Sequence, residues 1–504
     1  MSLFIQAFFA SRRNPAAADA GSLAVAYCRQ YTVSIDGGEG NKSMSTGSGA
    51  QALFREAEGQ FPFAPDDLRS EVARDIEEFG RYDFQGIDEV VAIEPWGRSG
   101  SVLLASYFDG HDRVMALPAL RSNGIYIFFE SHPTLSLHQK LIAYPLYNQS
   151  HDAQSSAAGC GECFFDGPFA IDRRRYLSAV LAIGAVYDTL PPEFSGSGKG
   201  FFIAVHAVFD RALGRRPGKP TPLIVCAQHE RDNPTAIHLV EDFSSPRFLH
   251  TVRDPITSVD RLFDWSFDPR LLPERQPTAA ERAESAASSA RYISILAPWM
   301  VIRLLIAAGQ PRPGEDGRTR VVRFEDIHGR TEETMRDLAQ WLGLEFVPSL
   351  TQSTFAGRPY VVSRDGKAWS GARTEKPKRE SRNLSRKDRA LVYALFQENF
   401  AAWGYPFPRA FAYRPVRLGA VLLSALLPTR MEFIVAKAAW RRRVWPGIKR
   451  GQWRTPADAA ARVAFNRAAI ASLSIREIAR RLVHRNRPIE VVGVKETPFG
   501  EAAV

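Results

Sequence analysis

Val90-Val91-Ala92-Ile93-Glu94-Pro95-Trp96-Gly97-Arg98-Ser99-Gly100-Ser101-Val102-Leu103-Leu104 decides the fold. Its first four residues are an apolar, β-branched run of the kind that makes a buried strand. From Val102 onward the apolar residues Leu103, Leu104, Tyr107 and Phe108 recur at helical spacing. The stretch therefore predicts a strand, a tight Gly/Ser turn and a helix. Such a turn aims backbone N–H groups at one point, and the helix N-terminus adds partial positive charge there. Gly97 and Gly100 permit a sharp bend, Ser99 and Ser101 carry hydroxyls, and Arg98 offers a forked cation suited to phosphate or sulfate. Taken alone, the same residues also fit an ordinary strand–helix turn.

Outward from this stretch, Leu223–Ala227 and Phe248–Val252 are further buried-strand candidates, and Val321–Asp326 reads as a strand that ends in acids. Helical patterns lie between them at Arg175–Tyr187, Thr331–Leu344 and Lys387–Phe400, with a charged amphipathic helix at Asp66–Phe79. Alternation of this kind predicts an α/β fold, a central parallel sheet with helices on both faces. Ligands in such sheets sit at the carboxyl ends of the strands. Arg98 and Arg253 each follow a strand end, so one anionic ligand can meet both. Gly124–Glu130 reads as a strand or a helix, with Glu130 placed at a strand end.

The chain has 504 residues, 45% of them hydrophobic and 11% aromatic, which predicts a folded chain with appendages rather than disorder. Residues 1–65 read as a poorly ordered lead-in, 66–408 as the main domain and 409–504 as a basic helical extension. Four cysteines give no disulfide framework and suit a cytoplasmic protein. Cys160 and Cys163 form a CxxC pair without the second pair a zinc site needs, and no metal is expected. Ser195–Gly200 departs from the Walker A template at both ends and reads as a flexible loop.

Residues 409–504 hold 19 Lys/Arg against 6 Asp/Glu, a surplus of 13, whereas the whole chain carries +10. The extension thus supplies the entire positive excess. Leu418–Leu427 is apolar but too short to span a bilayer. Together with Arg441–Arg443 and three tryptophans it fits a peripheral segment on an anionic membrane, at the inner face. A helical cap packed on the domain is the other reading. No nucleic-acid motif accompanies the charge, so no nucleic-acid partner is expected.

Four segments in order resemble the sulfotransferase family that uses 3′-phosphoadenosine 5′-phosphosulfate (PAPS), with its P-loop-like fold. Pro95–Leu104 followed by Asp109-Gly110-His111 resembles its 5′-phosphosulfate loop, and Phe248–Phe263 resembles its 3′-phosphate motif. Val321–Ile327 with the helix ending Trp341-Leu342-Gly343-Leu344, and the segment Asn399–Pro406, resemble later elements of bacterial members. The resemblance implies that Arg98 holds the phosphosulfate and stabilises the departing phosphate. It also implies that Gly100, Ser101 and Val102 donate backbone N–H groups, that Ser99 and Ser101 add hydroxyls, and that Arg253 binds the 3′-phosphate. The Lys/Arg-rich Arg364–Arg382 stretch resembles the family's late cofactor loop, where Gly366 and Lys367 would cover the adenosine side; solvated loop charges are the other reading.

Three positions depart from the family. Arg261 stands where it commonly has Ser, with Ser258 earlier in the helix. Val102 replaces a second Thr or Ser. Leu117-Pro118-Ala119 occupies the place where some members carry a catalytic Glu. For the base that takes the acceptor's proton, Glu130 is the first candidate and His132 the second, while His111 is read as closing the helix. The acceptor is expected to be a carbohydrate, a glycolipid or another small hydroxylated or amine compound. Two competing readings are a nucleotide kinase with a P-loop, and a non-catalytic, membrane-peripheral protein that keeps the fold.

Overall fold

The computed structural model describes residues 47–118, 122, 124–152, 164–165, 170–215, 220–228, 234–267, 317–364, 367–372, 381, 383–439 and 445. The chain enters through α1 (Gly47–Glu58) and α2 (Arg69–Phe79). The first strand β1 (Glu89–Pro95) leads through the Gly/Ser turn into α3 (Ser101–Phe108), then β2 (Val114–Ala116). The longer helices that follow are α4 (Ile125–Ser131), α5 (Leu137–Asp152), α6 (Arg173–Tyr187) and α7 (Gly198–Ala212), with a single turn at Pro192–Ser195 before the last. Next come β3 (Leu223–Ala227), α8 (Pro234–Asp242), β4 (Ser245–Val252) and α9 (Pro255–Phe267). After β5 (Thr319–Arg323), α10 (Phe324–Gly329) and α11 (Thr331–Leu342) lie two small antiparallel ladders. These are β6 (Thr354–Phe355) with β7 (Arg358–Pro359), and β8 (Val361–Arg364) with β9 (Lys367–Ser370). The last described helices are α12 (Arg386–Leu395), α13 (Gln397–Ala402), α14 (Arg414–Leu426) and α15 (Arg430–Ala439).

The five long-range strands form one parallel sheet in the order β2-β3-β1-β4-β5. Successive side chains of a strand face opposite sides, and the apolar runs of β1 and β3 supply both. Val90, Ala92, Ile224 and Cys226 enter the cluster built with α1, α2 and α4–α7. Val91, Ile93, Leu223, Val225 and Ala227 enter the opposite cluster with α3 and α11. A third cluster joins Trp96 and Val252 to α9, α12, Val421 and Met431.

From β1 the chain crosses to β2, whereas from β4 it turns the other way to β5. The carboxyl ends of β1 and β4 are therefore the topological switch point, where the two connections diverge and leave a crevice. The expected fold class holds, and it places the Arg98 turn and Arg253 on this crevice.

Several local expectations are corrected. Glu130 lies in the last turn of α4, not at a strand end. Ser195–Gly200 is not a loop: Ser197 caps α7, its hydroxyl accepting the Gly200 N–H at 2.9 Å. The lead-in is not irregular throughout, because Ala50, Leu53, Ala57 and Phe61 are core residues. The helix read as continuous over Lys387–Phe400 breaks at Phe396. The Cys160/Cys163 pair, Gly366 and the Arg441–Arg443 cluster lie outside the described residues.

Ile224 is fully buried in the middle of the sheet, next to Val90. Truncation to alanine there costs about 2–5 kcal/mol. Ile224→Ala should lower the urea midpoint accordingly, with Leu422→Ala on the exposed face of α14 as a near-neutral control. Equal midpoints for the two variants would contradict this sheet.

Candidate functional site

The turn after β1 is pinned at both ends. The Trp96 N–H donates to the Thr251 carbonyl at 2.7 Å, and its fully buried ring meets Phe396 and Trp403 edge-on at 5.4 and 4.7 Å. The Ser99 hydroxyl donates to the same carbonyl and lies 2.8 Å from the Thr251 hydroxyl. Ser99 is thus spent on fastening the turn to β4; as a side-chain donor to a ligand it is already engaged. Gly97 and Gly100 take φ of 72° and 85°, the left-handed region that L side chains avoid. A Cβ on Gly100 would stand 2.8 Å from the Phe324 ring. Arg98 is left exposed on the outside of the turn, while Ser101 is buried as the first residue of α3. Val102 packs toward the apolar cluster, so only its backbone N–H is offered to the crevice side.

The second cation comes from the end of β4. In Arg253-Asp254-Pro255, Asp254 caps α9 by accepting the Thr257 N–H at 3.0 Å, and Pro255 stands in the first turn, where its missing N–H costs nothing. Arg253 is thereby held just outside the helix. It donates to the Arg98 carbonyl at 3.3 Å, and its guanidinium lies 4.0 Å over the Phe324 ring. Burial, reinforced by the charge of Arg261, pulls its pKa down to about 10, against the opposing pull of Glu325. Arg253 therefore stays protonated at neutral pH. Its Nε is buried without a hydrogen-bond partner, as is the hydroxyl of Ser258, one turn into α9. Each such orphan costs about 1–3 kcal/mol. An unpartnered guanidinium nitrogen on an arginine that feels a second arginine fits an anion with several acceptor oxygens. Glu325 accepts from the Tyr405 hydroxyl at 2.5 Å, and burial raises its pKa.

The candidate bases have partners of their own. Glu130 is half exposed, with Oε1 2.9 Å from His238 Nε2 on α8. His132 is buried, its Nδ1 3.0 Å from the Phe128 carbonyl and its ring stacked on Phe128. His111 lies beyond the far end of α3, which is about 12 Å long. Its Nε2 meets the Glu345 carbonyl at 3.0 Å, and its Nδ1 accepts from the Arg113 N–H at 3.1 Å, so it closes that end of the helix. The adjacent Asp109 accepts from Arg215, Thr354 and the Gly357 N–H. Lys199 of the Walker-like stretch is bound at 2.8 Å to Asp88, which precedes β1. It therefore sits at the amino edge of the sheet, across from the crevice.

The structure also joins two residues that the sequence leaves without a role. Glu94 of β1 and His250 of β4 are register partners, with Nδ1 of the histidine 3.2 Å from Oε2 of the glutamate. The available signal was an ionisable residue near the carboxyl end of each of two buried strands; only the strand register makes them a pair.

No protein-family model and no curated protein matches the chain. Among solved structures it is similar to the sulfotransferase domain from the curacin biosynthetic pathway, at 17% identity over 53% of this chain and 77% of that one, with a TM-score of 0.24. A similar match is the sulfotransferase domain of the olefin synthase from Synechococcus, at 14% identity over 54% and 79%, with a TM-score of 0.24. A sulfotransferase from Mycobacterium avium matches at 12% identity over 61% and 81%, with a TM-score of 0.26.

Gly100→Ala is expected to cost about 1–2 kcal/mol from the left-handed backbone alone, before the Phe324 ring moves. Thermal unfolding measures the loss. Wild-type stability in this variant would mean the turn does not have the conformation described.

Proposed function

We propose that the chain is a PAPS-dependent sulfotransferase, which moves a sulfuryl group to a hydroxyl or amine of a carbohydrate, a glycolipid or another small acceptor. The observation that carries this reading is the pairing of two separate cationic sites at one switch point: the Arg98 turn after β1, and Arg253 with Ser258 and Arg261 after β4. Bound PAPS supplies an activated sulfuryl group on one phosphate and a second phosphate on its ribose. A ligand with one phosphate needs only one such site.

Arg98 is the exposed cation and serves to orient the phosphosulfate and neutralise charge that develops on the departing phosphate. The backbone N–H groups of Gly100, Ser101 and Val102, at the start of α3, reinforce it with fixed dipoles. Arg253 is held rigid by Phe324 and by the Arg98 carbonyl, which suits recognition of the 3′-phosphate. Its unpartnered Nε and the Ser258 hydroxyl supply the remaining donors. Sulfuryl transfer is close to phosphoryl transfer, where positioning and electrostatics do most of the catalysis. The kinase reading lacks this support, since the Walker-like lysine is bound to Asp88 at the opposite edge.

Calorimetry with the desulfated product, 3′-phosphoadenosine 5′-phosphate, tests the reading. Wild type should bind it, and Arg98→Ala and Arg253→Ala should each weaken binding by about tenfold or more, the worth of a charge-assisted hydrogen bond. A folded wild type that does not bind would remove the assignment.

We also propose that the extension contacts an anionic membrane surface. Val421 and Met431 are core residues, so α14 and α15 are packed on the domain. Yet Leu418, Leu422, Leu426, Leu427 and Phe433 remain exposed, in the segment that carries the chain's positive surplus. No described helix is long and apolar enough to cross a membrane. Because deletion of this segment would damage the core, the test is Leu422→Glu with Leu426→Glu. Flotation with phosphatidylglycerol vesicles should be lost in the double variant, and undiminished flotation would exclude this surface.

A further inference from the structure

Glu94 is the last residue but one of β1, and His250 the last but two of β4. Glu94 is four residues ahead of Arg98, and His250 is three ahead of Arg253. At about 3.3 Å per residue His250 lies roughly 10 Å along the backbone from Arg253, and Glu94 no more than roughly 13 Å from Arg98. Central strands of a parallel sheet read as continuous apolar runs, because both faces are covered. Here Val90–Ile93 and Leu249 keep that rule, and the charged pair breaks it.

A half-buried histidine–carboxylate pair, hydrogen-bonded or ionic, contributes little net stability, since desolvation offsets the attraction. Packing alone therefore gives no reason to place it on β1 and β4. The pair also stands at a seam. On its face of the sheet Ala92 and Phe248, two positions below, belong to one apolar cluster, whereas Trp96 and Val252, two positions above, belong to another. The side chains remain 14% exposed for His250 and 19% for Glu94.

We propose that His250 is the catalytic base of the transfer and that Glu94 is its positioning residue; this rests on the sulfotransferase reading given above. With Nδ1 directed at the Glu94 carboxylate, the ring carries its proton there and presents Nε2 as the base. This is the arrangement in which a carboxylate fixes the tautomer of an imidazole and stabilises its protonated form. His250 Nε2 takes the proton of the acceptor hydroxyl while the acceptor oxygen bonds to the sulfur of the PAPS sulfuryl group. The bond from that sulfur to the 5′-phosphate oxygen breaks, and its electron pair leaves with the phosphate beside Arg98. Glu94 neutralises the imidazolium that results.

The experiment compares wild type with His250→Asn, Glu94→Gln and the double variant in two measurements. The first is calorimetric binding of 3′-phosphoadenosine 5′-phosphate. The second is release of that product from PAPS in buffer supplied with phenol, glucose and octyl glucoside. Binding should stay within about twofold of wild type in all variants, which certifies the fold. Turnover should fall about 10²–10⁴-fold in His250→Asn, the usual contribution of a general base. Glu94→Gln should lose about tenfold, and the double variant should be no slower than His250→Asn, because Glu94 acts only through the histidine. A purely structural pair would not give that non-additivity at unchanged binding. His250→Gln replaces His250→Asn if the latter does not fold.

Normal turnover in a histidine variant that binds normally would overturn the base and leave the sulfotransferase reading standing. Additive losses in the double variant would overturn the role of Glu94. A wild type that binds but releases no product would remove the transfer reaction and the base together. A folded wild type that does not bind would remove the cofactor assignment itself.

Discussion

The candidate site depends on β1 and β4 lying side by side with their carboxyl ends level. Parallel pairing runs from Glu89↔Ser245 to Pro95↔Thr251, and the candidate site hangs on its last rungs. Thr251 is the fastening point. Its carbonyl accepts from both the Trp96 N–H and the Ser99 hydroxyl, so the turn that carries Arg98 is tied to the strand that carries Arg253. Shifting the register by one residue would flip every side chain to the other face and separate Glu94 from His250. Precision at the site is therefore a property of backbone pairing, which is harder to perturb than a loop.

The electrostatics follow from the same geometry. Arg253 and Arg261 repel one another, and burial already works against the charge on Arg253. The ring of Phe324 and the Arg98 carbonyl compensate in part, through cation–π attraction of about 0.5–2 kcal/mol and a hydrogen bond. The unpartnered Arg253 Nε and Ser258 hydroxyl leave that compensation incomplete. Phe324 has a second duty, because the space beside its ring admits glycine and no larger residue at position 100. The cationic perch and the tight turn are thus coupled through one aromatic ring.

Most of the fold was legible because its signals are local. Buried strands announce themselves as β-branched runs, and Asp254-Pro255 marks a helix start by chemistry that needs no partner. Placement of Arg98 and Arg253 on one crevice followed from strand ends alone. Errors arose where two states share a composition. Gly124–Glu130 is short and apolar, so length could not separate strand from helix, and packing against α7 and α8 decided for helix. Ser195–Gly200 looked like a loop because its glycines are common in turns, but Ser197 uses its hydroxyl as a cap. Ser99 looked like a ligand donor, and only the tertiary contact with Thr251 shows its hydroxyl is engaged. The Glu94–His250 pair was invisible for a deeper reason: 156 positions separate the two residues, and strand order is not written in either segment.

The central claim is that two cationic sites at one switch point hold one ligand with two phosphates. Affinities of wild type and Arg253→Ala for 3′-phosphoadenosine 5′-phosphate and for adenosine 5′-monophosphate test it most directly. The account predicts that wild type prefers the doubly phosphorylated nucleotide by about tenfold or more. It also predicts that Arg253→Ala erases that preference while leaving the monophosphate affinity unchanged. Equal wild-type affinity for the two nucleotides, or equal weakening of both by the substitution, would contradict it.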